Sequence, residues 1–226
     1  MTLNFKKVAA LACLAGLGMQ AAHAQTCTTT SQTGTNNGNY FSFWKDTPGT
    51  VNFCMYPNGR YTSNWSGINN WVGGKGWAAG SNHTISYSAT FNSPGNGYLA
   101  LYGWTQNPLV EYYIVEDSFG NGPAQPFGDQ LRGNFNVDGA QYNLYSGNKQ
   151  NQPNITGTNA NFTQVVSVRQ NPRQCGHVSI SEHFRQWQNM GINLGAAKEA
   201  KILVEAGGGN GSITFTHANV TVTPPN

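Results

Sequence analysis

Charge is scarce in this chain of 226 residues: 12 Lys and Arg and 9 Asp and Glu make up 9% of it, with a formal net charge of +3 at pH 7. No basic run is available to follow a phosphate backbone, which sets nucleic acid aside and points to a nearly neutral partner. The helix formers Lys, Glu and Leu are thin, whereas glycine, asparagine, threonine, serine and aromatics are abundant. That balance disfavours helical bundles and predicts short strands joined by tight turns. The four cysteines lack a C-x-x-C spacing, and His83, His177 and His183 are scattered. Neither a structural nor a catalytic zinc site is expected, and no metal or organic cofactor is called for. Beyond the N-terminal region no stretch is apolar enough to cross a bilayer, so no membrane partner is expected.

What is present begins with a leader. Lys6-Lys7, a short apolar stretch to Met19 and the run Ala22-His23-Ala24 match a signal peptide over residues 1–24. The expected product is a secreted or periplasmic monomer, with one domain over residues 25–226. Loss of Lys6 and Lys7 lowers the formal charge from +3 to +1. Cys13 leaves with the leader, so Cys27, Cys54 and Cys175 remain. An odd number implies one pair and a free thiol, or no pair; Cys27 with Cys54 is the preferred pairing, tying the N-terminal tail to an early strand.

Turn signals recur every eight to twelve residues, at Asn37-Gly38, Pro48-Gly49, Gly73-Gly74, Asp138-Gly139 and Gly207-Gly208-Gly209 among others. Short alternating runs lie between them, including Tyr40 to Lys45, Val51 to Tyr56, Gln141 to Tyr145 and Phe162 to Arg169. The pattern predicts an all-β sandwich or jelly roll. One segment differs: Phe184, Trp187 and Met190 recur at helical spacing behind Ser181 as N-cap and before Gly191 as C-cap. This is one short helix whose aromatic stripe belongs to the core.

The most informative stretch is Tyr98 to Glu116. Alternation places Leu99, Leu101, Tyr112 and Ile114 toward a core, leaving Tyr98, Tyr102, Trp104 and Tyr113 on an aromatic face that also carries Glu111. A carboxylate there is either a solvated edge-strand charge or part of a sugar cleft, in which rings stack on pyranose faces and polar groups bond hydroxyls. A second carboxylate of interest is Glu205, at the end of the apolar strand from Lys201; it is either solvated or buried with a raised pKa. Two such groups on opposite sides of a glycosidic bond suit glycoside hydrolysis. Lys201 shares the face of Glu205 but lies roughly 13 Å along the strand, so its effect on that carboxylate should be small. Glu116 and Asp117 read as a solvated strand end, Glu182 as a first-turn helix charge, and Glu199 as lacking a partner.

With these residues in place, the chain resembles the family 11 glycoside hydrolases, which are endo-β-1,4-xylanases. The resemblance rests on Asn69-Asn70-Trp71-Val72-Gly73-Gly74-Lys75-Gly76-Trp77, Asn96-Gly97-Tyr98-Leu99-Ala100-Leu101-Tyr102-Gly103-Trp104, Pro108-Leu109-Val110-Glu111-Tyr112-Tyr113-Ile114-Val115 and Ser167-Val168-Arg169-Gln170, and on the helix and its exit. It implies a β-jelly roll of two curved antiparallel sheets with one short α-helix, and retaining hydrolysis of xylan. Glu111 is then the nucleophile and Glu205 the acid/base, with Tyr102 and Tyr113 flanking the nucleophile. Trp44 and Tyr98 are stacking residues, and Arg169 lies at the base of the thumb, keeping Glu111 ionised. Asn70 bonds the acid/base, a residue associated in the family with neutral to alkaline activity. Residues 171–176 become the thumb tip, with Cys175 exposed. Two departures stand out: Glu205-Ala206-Gly207 replaces Glu-Gly-aromatic ahead of a turn about two residues shorter, and Val165-Val166 replaces Tyr-Trp. The shortened turn motivates an alternative, a xylan-binding protein without turnover; a β-glucanase is the less favoured third reading.

Overall fold

The computed structural model describes residues 25–79, 83–92, 96–120 and 129–222. The expected leader, residues 1–24, lies outside the described residues.

Two sheets carry the chain. The first has six strands in the order β1 (Thr26–Thr28), β4 (Thr50–Met55), β5 (Tyr61–Ser66), β15 (Asn210–Val222), β7 (His83–Asn92) and β13 (Cys175–Ser179). The second has nine, in the order β10 (Gln130–Val137), β11 (Ala140–Pro153), β12 (Asn159–Arg169), β9 (Val110–Phe119), β8 (Asn96–Gln106), β14 (Ala196–Gly207), β6 (Trp71–Trp77), β3 (Asn39–Lys45) and β2 (Gln32–Asn36). The two-sheet jelly roll agrees with the sequence, with one exception to its antiparallel character: β12 runs parallel to β9.

Alternation accounts for what lies between the sheets. Leu99, Leu101, Tyr112 and Ile114 are fully buried in one core with Phe43, Phe53, Tyr61, Trp71 and Tyr142. The opposite face of the long sheet is drier than expected, because Tyr98, Ala100, Tyr102, Trp104, Tyr113 and Phe162 pack into a second cluster of their own. Gly73-Gly74 is not a turn but lies inside β6, where a Cβ on Gly74 would come within 2.3 Å of the Ile202 carbonyl oxygen. Glycine there allows β14, which carries Glu205, to pack closely.

The helix α1 (Ile180–Asn189) begins two residues earlier than predicted, with Ser179 rather than Ser181 at the N-cap. Asp138 explains the shift: its carboxylate accepts the Ser179 N–H at 2.7 Å and the Ser179 hydroxyl at 2.9 Å. Phe184 and Trp187 are buried as expected, and Trp187 donates its Nε1–H to Ser167 at 2.7 Å.

Cys27 and Cys54 stand opposite each other on β1 and β4 and form a disulfide closing a separation of 27 residues. Cys175 is not the exposed free thiol expected, since no described cysteine is free. Residues 171–176 do not form a thumb either. They link β12 to β13 and include the first two residues of β13, leading from one sheet to the other, whereas the tip of the β11–β12 hairpin supplies Pro153, Asn154 and Ile155 to the cleft.

Glu116 is the largest correction. The β8–β9 register slips between Val115 and Asp117, leaving Glu116 without a cross-strand Cα partner on the core face that it shares with Tyr112 and Ile114. It is fully buried, accepts hydrogen bonds from Tyr87 at 2.8 Å and Tyr142 at 2.5 Å, and is ion-paired with Arg173.

Candidate active site

A cleft of about 850 Å³ lies across the long sheet, lined by Trp44, Asn70, Tyr102, Trp104, Glu111, Tyr113, Glu199, Lys201 and Glu205 among others. Register places these side chains in rows. Trp44 stands beside Val72, Val72 beside Glu205, and Glu205 beside Tyr98, across β3, β6, β14 and β8. A second row runs Lys201, Tyr102, Tyr113 and Val166, and a third Glu199, Trp104, Glu111 and Gln164. These residues lie on the cleft-facing side of the sheet because residues two apart on a strand share a face.

Glu111 is held by two donors. The Tyr102 hydroxyl donates to Oε1 at 2.9 Å and the Gln164 amide to Oε2 at 2.6 Å. Trp104 Nε1 in turn donates to the Tyr102 oxygen at 2.6 Å, fixing that phenol. Across the cleft, Asn70 Nδ2 donates to Glu205 Oε1 at 3.1 Å and the Tyr113 hydroxyl to Oε2 at 3.0 Å. Asn70 is anchored from behind, its carbonyl accepting the Asp46 N–H at 3.1 Å and its own N–H donating to the Asp46 carboxylate at 3.1 Å.

Burial sets the electrostatics. It raises the Glu111 pKa to about 7, opposed by the bonds from Gln164 and Tyr102 and by the charge of Lys149, and reinforced by Glu205. Glu205 is raised by burial too, against the bonds from Asn70 and Tyr113. Burial thus pushes both carboxyls toward the neutral form, and the charge of Glu205 adds to that effect on Glu111. Such a pair can present one ionised and one protonated member, the division of labour that acid-assisted displacement needs.

Tyr113 touches Glu205 rather than Glu111, so the two tyrosines serve one carboxylate each. Tyr98 is buried beside Glu205, whose charge raises its pKa along with burial. Trp44 remains 49% exposed at the cleft wall, as a stacking surface would be. Arg169 is not at the cleft. By alternation from Gln164 it falls on the opposite face, where its guanidinium donates to the Tyr142 hydroxyl at 3.2 Å and to the Asn171 carbonyl at 2.8 Å. The cation that bears on Glu111 from the hairpin is Lys149. Glu199 does have a partner, Lys201, at 2.7 Å. Gln164 was not anticipated, although it lies two residues before Val166 on the same face of its strand.

The shortened turn after Glu205 is tied down. Gly208 donates to the Ile68 carbonyl at 2.9 Å and Gly67 to that of Gly209 at 3.0 Å, while Asn210 Oδ1 accepts the Ser66 hydroxyl at 2.8 Å. At Gly207 a Cβ would come within 1.8 Å of the Asn69 carbonyl oxygen, so the missing aromatic side chain could not be accommodated in this turn. The turn is therefore compact, and Glu205 keeps its bonds to Asn70 and Tyr113.

Among the described residues no group of three or more His, Cys, Asp or Glu could hold a metal ion, and no helix is long and apolar enough to cross a membrane.

Several known xylanases are similar to this chain in sequence and fold. The ethylene-inducing xylanase 1 of Verticillium dahliae is 46% identical over 190 residues, covering 83% of each chain. The endo-1,4-beta-xylanase B of Phanerodontia chrysosporium is 42% identical over 188 residues, covering 83% of this chain but 64% of that longer one. The structure of the family 11 xylanase from Neocallimastix patriciarum superimposes with a TM-score of 0.78 at 28% identity, covering 88% of this chain and all of that one. The sequence profile of glycosyl hydrolases family 11 matches residues 36–216, and the chain belongs to that family.

Proposed function

We propose that the chain is a secreted endo-1,4-β-xylanase that retains anomeric configuration, acting as a monomer on xylan and xylo-oligosaccharides after loss of residues 1–24. The observation that carries this reading is the pair Glu111 and Glu205, each gripped by two donors on either side of β8 within one aromatic cleft.

In the reaction, Glu111 attacks the anomeric carbon while Glu205 protonates the departing oxygen. Glu205, now ionised, takes a proton from water, which attacks the glycosyl-enzyme and releases the sugar with its original configuration. Tyr102 and Gln164 stabilise the Glu111 carboxylate as attacking and leaving group. Asn70 and Tyr113 orient Glu205, and Trp44 and Tyr98 supply surfaces for sugar rings. The alternative, binding without turnover, has less support because the altered turn leaves the acid/base side intact.

The test is the product profile from glucuronoxylan together with the anomer released first, followed by NMR. The wild type should release short xylo-oligosaccharides as the β-anomer, Glu111→Gln should lose turnover, and Glu205→Ala should lose it on unactivated substrates. First release of the α-anomer, or undiminished turnover by Glu111→Gln, would overturn the mechanism.

A further inference from the structure

We infer that Lys201 is a positioning residue for Glu111, acting through the ring of Tyr102 and held in place by Glu199. The inference rests on the reading of Glu111 as nucleophile. Lys201 and Glu199 are 2% and 5% exposed, and they line the same cleft as the carboxylates. The Lys201 ammonium donates to Glu199 Oε1 at 2.7 Å and lies 4.6 Å from the centre of the Tyr102 ring. The hydroxyl of that ring donates to Glu111 at 2.9 Å. A cation against a phenol face is attracted to it and makes the O–H a better donor. Lys201 also attracts the Glu111 carboxylate directly.

The strands explain how the lysine comes to be there. Lys201 stands opposite Tyr102 and Glu199 opposite Trp104 on adjoining strands. On the other side Lys201 faces Gly76, where a Cβ would come within 2.6 Å of the Lys201 Cα. Tyr40, one strand further, senses the Glu199 charge, which adds to burial in raising the pKa of its phenol. Stability alone is a weak reason to keep such a pair, because apolar residues of similar volume are often as good or better in its place. Its position under the phenol that serves the nucleophile supplies another reason. The cationic help that Arg169 cannot give from the far face comes here from Lys201 on β14.

The groups facing Glu111 are Tyr102 on β8, Gln164 on β12, Lys149 on β11, Tyr113 on its own strand, and Glu205 and Lys201 on β14. Removing the Lys201 charge leaves Lys149 as the cation on that carboxylate, so the Glu111 pKa should rise.

The experiment compares wild type, Lys201→Met, Lys201→Arg and the double variant Glu199→Gln with Lys201→Met, which keeps the buried site neutral. The readouts are kcat/KM against pH on a xylo-oligosaccharide, and Tm. The acidic limb should move up by roughly one pH unit in Lys201→Met and in the double variant. Lys201→Arg should restore most of the shift. A folded double variant whose acidic limb coincides with the wild type overturns the inference. That outcome, combined with loss of turnover in Glu111→Gln, would leave the nucleophile assignment standing; undiminished turnover in Glu111→Gln would remove the assignment itself.

Discussion

Gln164→Met tests the nucleophile's surroundings. Gln164 is 6% exposed and spends its amide N–H on Glu111 Oε2 at 2.6 Å; among the described residues its own oxygen accepts no hydrogen bond. Methionine fills nearly the same volume and donates nothing. A hydrogen bond to a charged group contributes about 1.5–3 kcal/mol, so its loss should raise the pKa of the carboxylate by roughly one to two units. The sign follows from the state the bond favours: the donor stabilises the ionised form, and without it a smaller fraction is ionised at a given pH. Starting from a pKa of about 7, the acidic limb of kcat/KM should move toward alkaline pH. At pH 6 the variant should be slower by roughly ten- to a hundredfold, recovering as pH rises. The assay is kcat/KM on an aryl xylobioside between pH 5 and 10, with Tm as a control for folding. A loss of equal size at every pH would refute the electrostatic argument, and so would an unmoved limb in a folded variant.

Two further predictions concern stability. His183 is fully buried among Phe135, Tyr142 and Trp187, with neither ring nitrogen bonded among the described residues, and burial, followed by the charge of Arg173, lowers its pKa to about 3. Between that value and an unfolded pKa near 6.5 the unfolded chain binds the extra proton, so folding stability should fall as pH drops through this window, by about 1.4 kcal/mol per unit; urea unfolding of wild type and His183→Leu from pH 4 to 7 should show a shallower slope in the variant. Glu116→Gln breaks the buried pair with Arg173 and should cost about 3–5 kcal/mol, seen as a lower Tm, while kcat at 25 °C stays within a few-fold because Glu116 faces the core.

The sheets and the helix were legible because alternation and helical spacing are local: Leu99, Leu101, Tyr112 and Ile114 fall on the core face by counting alone. The carboxylates were legible as a shortlist, since only nine acidic residues exist. Less legible was anything that depends on which strands become neighbours. Gln164 reaches Glu111 through the parallel pairing of β12 with β9, and nothing in either segment announces that pairing. Arg169 was misplaced because a matched motif was read without counting parity from Gln164. Glu116 shares the parity of Tyr112 and Ile114, so alternation puts it on the core face; the charged Glu116-Asp117 pair ahead of Phe119-Gly120 imitates a solvated strand end, and the bulge changes the alternation only from Asp117 onward. The partners of Glu116, Tyr87, Tyr142 and Arg173, lie 26 to 57 residues away in sequence. Glu199 and Lys201, only two residues apart, could have been paired from alternation alone.

The two carboxylates of β9 also guard the placement of that strand. Glu111 faces the cleft and Glu116, five residues later, faces the core, so a slip of one residue would exchange every side chain of the strand between the two environments. Such a slip would carry Glu116 away from Arg173 and turn Glu111 into an apolar interior with no cation waiting for it. Each acid is thus an error signal for the other, and the buried salt bridge on the far side of the sheet serves as the indexing pin that holds the cleft-facing carboxylate in its working position.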